Sequence, residues 1–253
     1  MFEIPVIGTD YNYSYIYRKL EIRVNSMKNR TLVIFFILSF CFVLHTPVFA
    51  SEKVAYLTFD DGPNKYTPMV LDILKKKNVH ATFFVIGGRI ARSPETMDRI
   101  VREGHSIGLH SMSHDVKRLY NGDPFALVAE MEQTRTIVRA TTGLDSQLVR
   151  VPYGSMPYLK EDYRNALVKE HYKMWDWTID TYDWKSNGNP SNVVQRLINQ
   201  TDEEIEVVLM HDSAVTVKAL PQIIDYLHSQ GYTLLPYDPS SHIKVNFWKD
   251  KRL

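Results

Sequence analysis

The chain has 253 residues, 44% of them hydrophobic, and its 30 basic against 29 acidic residues leave a net charge of +1. That length and apolar content suit one sizeable buried core, and near-neutrality offers nothing that would attract nucleic acid or an anionic membrane surface. The single cysteine, Cys41, excludes an intramolecular disulfide.

Residues 27–50 read as a secretory signal. Lys28 and Arg30 form a basic start, residues 32–44 an apolar run, and Pro47-Val48-Phe49-Ala50 an exit that ends in a small residue. The run is short of the roughly 20 apolar residues that a spanning helix needs. Residues 1–26 carry acids and aromatics ahead of this complete signal and read as an upstream extension, with Met27 as the start. The expectation is a mature chain beginning near Ser51, secreted or cell-wall associated, or membrane-anchored if the signal stays uncleaved. Cys41 would leave with the signal.

From residue 54 onward, short apolar runs alternate with amphipathic stretches. Residues 54–57 form a β-prone apolar run that reads as a buried strand. It leads into Thr58-Phe59-Asp60-Asp61-Gly62-Pro63, where Gly-Pro breaks the strand. Two adjacent carboxylates then sit at the carboxyl end of a core strand, the edge at which α/β folds build their sites. Their repulsion is relieved by a cation or a proton, although Asp-Gly is also an ordinary turn pair. Met69, Val70, Ile73 and Leu74 fall at helical spacing within residues 67–77, which close on three lysines as a helix carboxyl end should. Residues 81–85 make a second strand. A helix opens at Ser93-Pro94-Glu95 and stops at Gly104, and a third strand spans 106–109.

The remaining pattern predicts a helix over 124–140, a strand over 147–150, a helix over 159–170 and one strand over 173–179. A helix over 190–199, a strand over 205–210, a helix over 218–229 and a last strand over 232–235 follow. Repeated β–α units at this length predict a parallel sheet closed, or nearly closed, into a barrel. One catalytic domain over residues 51–240 results, with 241–253 as a short, basic, solvated tail.

Polar groups recur at the strand ends. His110-Ser111-Met112-Ser113-His114 follows the third strand, and two imidazoles four apart share a face if the segment turns helically, which suits metal ligation. Two His and one Asp leave positions open for water, as in a catalytic divalent site. Arg150-Val151-Pro152-Tyr153-Gly154 follows the fourth strand, where Arg150 can orient a carboxylate through paired hydrogen bonds. Asp180-Thr181-Tyr182-Asp183-Trp184 follows the fifth, and Leu209-Met210-His211-Asp212 places His211 at yet another strand end.

The order TFDDGP, HSMSH, RVPYG, DTYDW, LMH resembles the five motifs of the NodB-type polysaccharide deacetylases, carbohydrate esterase family 4. It is closest in kind to bacterial peptidoglycan N-acetylglucosamine deacetylases, and the likeness runs from about Val54 to Asp238. The resemblance implies an α/β fold, a distorted (β/α) barrel of the NodB-homology type. By it, Asp61, His110 and His114 are the ligands of one divalent metal ion, zinc, with cobalt, manganese or nickel as alternatives. Asp60 is the general base, held by Arg150, and His211 the general acid, oriented by Asp183. The Tyr153 backbone N–H is the oxyanion donor, and Trp184 and Leu209 are walls of the acetyl-methyl pocket.

The residue types suit that chemistry. A metal polarises an acetyl carbonyl and lowers the pKa of water, a carboxylate takes the proton, and an imidazole protonates an amine near neutral pH. The reaction expected is removal of N-acetyl groups from a polysaccharide, peptidoglycan first, by a monomer that needs no nucleic acid and no organic cofactor. Deacetylation of chitin oligomers or O-acetyl-xylan is the close alternative, and a catalytically silent glycan-binding protein the non-enzymatic one. His80, His105, His171, His228 and His242 read as structural or surface residues. Trp175 and Trp177 read as core-facing on one strand, and Tyr120 and Tyr182 as residues near the rim able to stack on a sugar.

Overall fold

The computed structural model describes residues 53–253. The upstream extension, the signal segment and Cys41 lie outside the described residues.

Eight strands form one sheet whose pairings are all parallel. They are β1 (Lys53–Gly62), β2 (Thr82–Val85), β3 (Ser106–Leu109), β4 (Leu148–Val149), β5 (Lys173–Met174), β6 (Ile179–Asp180), β7 (Ile205–His211) and β8 (Tyr232–Leu234). The order across the sheet is β5-β4-β3-β2-β1-β7-β6, with β8 paired to the start of β1. The helices that alternate with them are α1 (Thr67–Lys77), α2 (Gly87–Ile90), α3 (Pro94–Arg102), α4 (Val116–Leu119), α5 (Pro124–Thr142), α6 (Glu161–Lys169), α7 (Pro190–Gln200) and α8 (Ala214–Ser229). Local chemistry marks many of the helix ends. Asp123, Asn189 and Ser213 cap α5, α7 and α8 by accepting backbone N–H bonds, and Pro94, Pro124 and Pro190 stand in the first turn of their helices.

Side chains alternate across each strand, and the two sets on β1 have different fates. Leu57 and Phe59 join the large core beneath the helices, together with Phe83, Leu109, Val149, Val208 and Met210. Tyr56 instead packs with Phe84, Leu148, Trp175 and Val207 in a second cluster. Parallel register aligns Tyr56 with Val207, Thr58 with Leu209, and Asp60 with His211. The concave side of the sheet therefore runs from an apolar floor at Tyr56 and Trp175 up to Asp60 and His211 at the carboxyl ends of the strands. Gly108 belongs to this arrangement, because a Cβ there would collide with the Phe84 ring.

Three expectations need correction. The single strand over 173–179 is two strands, β5 and β6, at opposite edges of the sheet. Residues 175–178 step across the opening between them, so the sheet curls into a half-barrel without closing. Trp175 is buried in the floor, whereas Trp177 leaves the strand and lines the cavity at the rim. Finally, residues 241–253 are not a solvated tail. The Trp175 indole N–H donates to the Ile243 carbonyl at 2.9 Å, the Asp176 N–H to Val245 and the Trp248 indole N–H to Ser155, while Leu253 is fully buried. The tail covers part of the barrel floor because Trp175 and Asp176 lie at an edge strand whose backbone groups would otherwise lack partners.

Candidate active site

Asp60 and Asp61 are adjacent on β1, and regular alternation would send them to opposite faces of the sheet. A β-bulge prevents this. The pairing with β2 shifts between Asp60 and Gly62, and Asp61 takes φ = 69°. The extra residue re-aims the strand end, so both carboxylates line the same cavity of about 550 Å³. Positive φ recurs around the rim, at Ser111, His114, Tyr153 and Tyr182. For non-glycine residues this conformation is uncommon and concentrates at functional sites.

Asp60 is buried, and its Oδ1 accepts from Arg150 Nη1 at 2.9 Å. The Arg150 guanidinium is itself fully buried. It also donates to Thr58 Oγ1 (2.6 Å), the Trp175 carbonyl (3.2 Å) and the Asp176 carbonyl (2.8 Å), and lies 4.1 Å above the Phe84 ring. Its charge is thus balanced by one carboxylate, and its donors meet acceptors from three other residues.

His110 directs Nδ1 at the Arg150 carbonyl, 2.7 Å away. A carbonyl only accepts, so the proton sits on Nδ1 and the Nε2 lone pair is left free. That Nε2 lies 3.6 Å from Asp61 Oδ1, and His114 Nε2 lies 3.3 Å from the same oxygen. The expected helical turn between the two histidines is absent. The segment is a loop in which Ser111 Oγ accepts from the His114 N–H, and the Ser113 N–H and Oγ bond the buried Glu130 carboxylate on α5. The two rings meet at 5.1 Å through loop geometry rather than helical spacing.

Asp61 Oδ1 is buried and has no hydrogen-bond partner. Burial opposes its charge, yet His110 and His114, with His211 and Arg89, outweigh burial and hold the Asp61 carboxyl below the usual range. Burial, followed by the neighbouring His110, lowers the pKa of His114. One orphaned carboxylate oxygen and two imidazole nitrogens, all within 4.8 Å of one another, form a donor set that fits a divalent cation.

His211 faces this cluster from β7. Its backbone N–H and ring Nδ1 bond the two oxygens of Asp183, at 2.7 and 2.8 Å, and Thr216 Oγ1 also donates to Asp183. Burial disfavours the His211 cation, but the Asp183 hydrogen bond and charge, assisted by Asp60 and Asp61, push its pKa up to about 9. Leu209, Trp184, Tyr153, Trp177, Tyr182 and Asp180 complete the cavity wall.

The structure brings all ten sequence-predicted site residues to one place: Arg150 lies behind Asp60 and Asp183 behind His211, and the other eight line the cavity. Tyr120 is instead a strut, donating to the Pro152 carbonyl at 2.8 Å and stacked on Tyr158. His105 is buried as a neutral ring, its pKa lowered to about 4 by burial and by His80, and its Nδ1 accepts from the Ala81 N–H. Sequence reasoning missed Glu130, Asp176 and Thr216, which reach the site from segments distant in sequence and carry no local signal, and gave Thr58, inside the TFDDGP run, no role. Asp176 braces two segments at once. Its carboxylate accepts from the Ser155 N–H and Oγ on one side and from the Phe247 N–H on the other.

Residues 49–175 match the polysaccharide deacetylase family. A peptidoglycan-N-acetylglucosamine deacetylase of Bacillus cereus is 42% identical over 208 residues, which cover 80% of this chain and 76% of that protein. The peptidoglycan-N-acetylmuramic acid deacetylase PdaC of Bacillus subtilis is 36% identical over 196 residues, covering 77% of this chain and 40% of the relative. The crystal structure of the Bacillus cereus polysaccharide deacetylase Bc1974 superimposes with a TM-score of 0.76 at 41% identity, covering 79% of this chain and all of that one. With the curled parallel sheet and the motif order in place, the chain belongs to the polysaccharide deacetylase family, the NodB-type enzymes of carbohydrate esterase family 4.

Proposed function

We propose that this protein hydrolyses the N-acetyl group of N-acetylglucosamine in peptidoglycan. The observation that carries the reading is the facing pair Asp60 and His211, register partners on adjacent strands, placed beside the Asp61–His110–His114 cluster in one cavity. The relatives named as peptidoglycan deacetylases support the choice of polymer.

Asp61, His110 and His114 would hold the divalent cation, for which zinc, cobalt, manganese and nickel all suit the donor set. When bound, the cation supplies Lewis-acid polarisation of the acetyl carbonyl and of a water. Asp60 acts as the base: Arg150 engages Oδ1, which leaves Oδ2 to take the proton as water oxygen bonds the acetyl carbon. The Tyr153 backbone N–H stabilises the negative oxygen that develops. Trp184 and Leu209 enclose the methyl group. His211, protonated at neutral pH because of Asp183, gives its proton to the sugar nitrogen as the C–N bond breaks. Acetate and a free amine result. Incubating the protein with peptidoglycan, chitin oligomers and acetyl-xylan and measuring released acetate tests the reading; release only from chitin or xylan, or saturable glycan binding without release, would overturn it.

A wall substrate requires export, and the basic start, short apolar run and Ala50 exit in residues 27–50 supply a signal for it. The protein acts as a secreted or wall-associated monomer that starts near Ser51. Mass spectrometry of culture and wall extracts tests this, since peptides from residues 11–18 or an intact membrane-held chain would contradict it.

A further inference from the structure

A second cavity, of about 410 Å³, adjoins the first, and Tyr182 lines both. Its wall is made by Thr181, Tyr182, Lys185 and Ser186 and by the exposed face of α7, which contributes Asn192, Gln195, Arg196 and Asn199. The wall carries two positive charges and no carboxylate.

Neither cation is neutralised by a carboxylate: Arg99, Arg135, Arg164 and Arg252 each meet an acidic side chain within 3.1 Å, whereas Arg196 and Lys185 form no such pair among the described residues. Arg196 lies 4.1 Å over the Tyr182 ring and Lys185 Nζ 6.0 Å from the Trp184 ring, so both are seated against aromatic residues that wall the catalytic cavity. Gln195 Nε2 donates to Asn199 Oδ1 at 2.8 Å, which leaves the Asn199 NH2 group as a donor for an anion. A solvated helix face would mix charges of both signs. A concave surface with a guanidinium, an ammonium and neutral amides is instead built to recognise an anion, above all a carboxylate, which a guanidinium meets through paired hydrogen bonds.

We propose that this cavity is a subsite for a carboxylate carried by the polymer next to the sugar being deacetylated. The inference rests on the peptidoglycan reading, because peptidoglycan bears carboxylates on its peptides, and on its lactyl groups where the peptide is missing, whereas chitin bears none. It makes the second cavity the feature that distinguishes wall glycan from a neutral N-acetylglucosamine polymer.

The test compares wild type with the double variant Arg196→Gln/Lys185→Gln on three soluble substrates of equal sugar number. These are a chitin oligomer, a peptide-bearing wall glycan, and that glycan with its peptides removed to free the lactyl carboxylate. The expected result is a rise of about 10-fold in KM on carboxylated glycan, little change in kcat, and less than a 2-fold change on the chitin oligomer. Wild-type KM on the carboxylated substrates should also rise with salt, and the variant should lose that dependence. Loss on the peptide-free glycan alone assigns the lactyl carboxylate, loss on the peptide-bearing one alone assigns the peptide, and loss on both assigns a subsite that takes either; each supports the subsite. A wild type active on wall glycan, with a variant that is unimpaired or equally impaired on chitin, overturns this inference while leaving the peptidoglycan reading intact. A wild type that releases acetate from chitin but from neither wall glycan overturns both.

Discussion

Arg150 and Asp60 form a buried ion pair, Nη1 to Oδ1 at 2.9 Å, in which the guanidinium is fully enclosed and makes three further hydrogen bonds to Thr58, Trp175 and Asp176. Removing one partner of such a pair leaves the other charged, dry and unmatched, at a cost of about 3–5 kcal/mol. Arg150→Leu should therefore lower the urea midpoint at pH 7 substantially and abolish acetate release. Arg150→Lys should recover part of the stability but little activity, because one ammonium cannot meet four acceptors in a plane. An unchanged midpoint in Arg150→Leu would show that Asp60 does not depend on the pair.

The bulge at Asp61 turns two carboxylates that are neighbours in sequence into one cavity. Asp60→Asn should retain divalent-metal affinity, measured by calorimetry on the metal-stripped protein, while losing most activity, since an amide cannot accept the proton of water. Asp61→Ala should weaken metal affinity itself, because the orphaned Oδ1 is gone. The opposite pattern would exchange the two roles.

For His211 the leaving group decides the outcome. An acetamide expels an amine that must be protonated, whereas an activated aryl acetate expels a phenolate unaided. His211→Asn should cost the amide reaction about 10²–10⁴-fold and the aryl ester far less, with metal content unchanged. The imidazolium form is favoured because Asp183 holds the pKa near 9, so the proton is available below that pH and is lost above it. In wild type, kcat on the amide should fall as pH rises through about 9. Equal losses on the two substrates would remove His211 from the acid role.

Deleting residues 243–253 tests the contribution of the tail. The Phe247 N–H bonds Asp176, which also holds Ser155, and the Phe247 ring meets Trp177 edge-on at 5.0 Å. Gly154 lies so close that a Cβ would sit 2.9 Å from Trp177 and 3.4 Å from Phe247. Without the tail the loop carrying Tyr153 loses this support. The expected outcome is a Tm lower by about 5 °C or more and reduced kcat on the amide. Retention of both would return the tail to the solvated extension that its lysines suggest.

Asp212 is buried beside Gly62 and Asn64, accepts from Thr67 Oγ1, and leaves Oδ1 without a partner. Burial pushes its pKa up to about 7, against the opposing Thr67 hydrogen bond. Because the folded pKa lies above the unfolded one, the native state keeps a proton that the unfolded chain has lost between about pH 4 and 7. Its contribution to stability is therefore largest at low pH and disappears as pH rises through 7. Asp212→Asn should gain Tm relative to wild type on going from pH 5 to pH 8; a difference that stays flat over that range would show that Asp212 is ionised in the fold.

Much of this protein is legible in order along the chain. Apolar runs marked most of the strands, helical spacing and caps marked the helices, and the polar residues after each run marked the cavity and its supports, from Asp60 through His110, Arg150 and Asp183 to His211. Those signals are local: hydrophobic alternation and capping need only near neighbours. What only the tertiary structure decided depends on contacts between distant segments. The bulge that turns Asp61 to the side of Asp60 arises in the pairing of β1 with β2. The split of residues 173–179 between two sheet edges depends on where β4 and β7 leave room. The docking of the tail depends on edge groups at Trp175 and Asp176 whose lack of partners is invisible until the sheet is assembled. The same holds for the approach of His114 to Asp61, which helical spacing would have explained and which a loop pinned by Glu130 achieves instead. Register and closure are long-range properties, so residue order named the participants while the assembled sheet determined how they face one another.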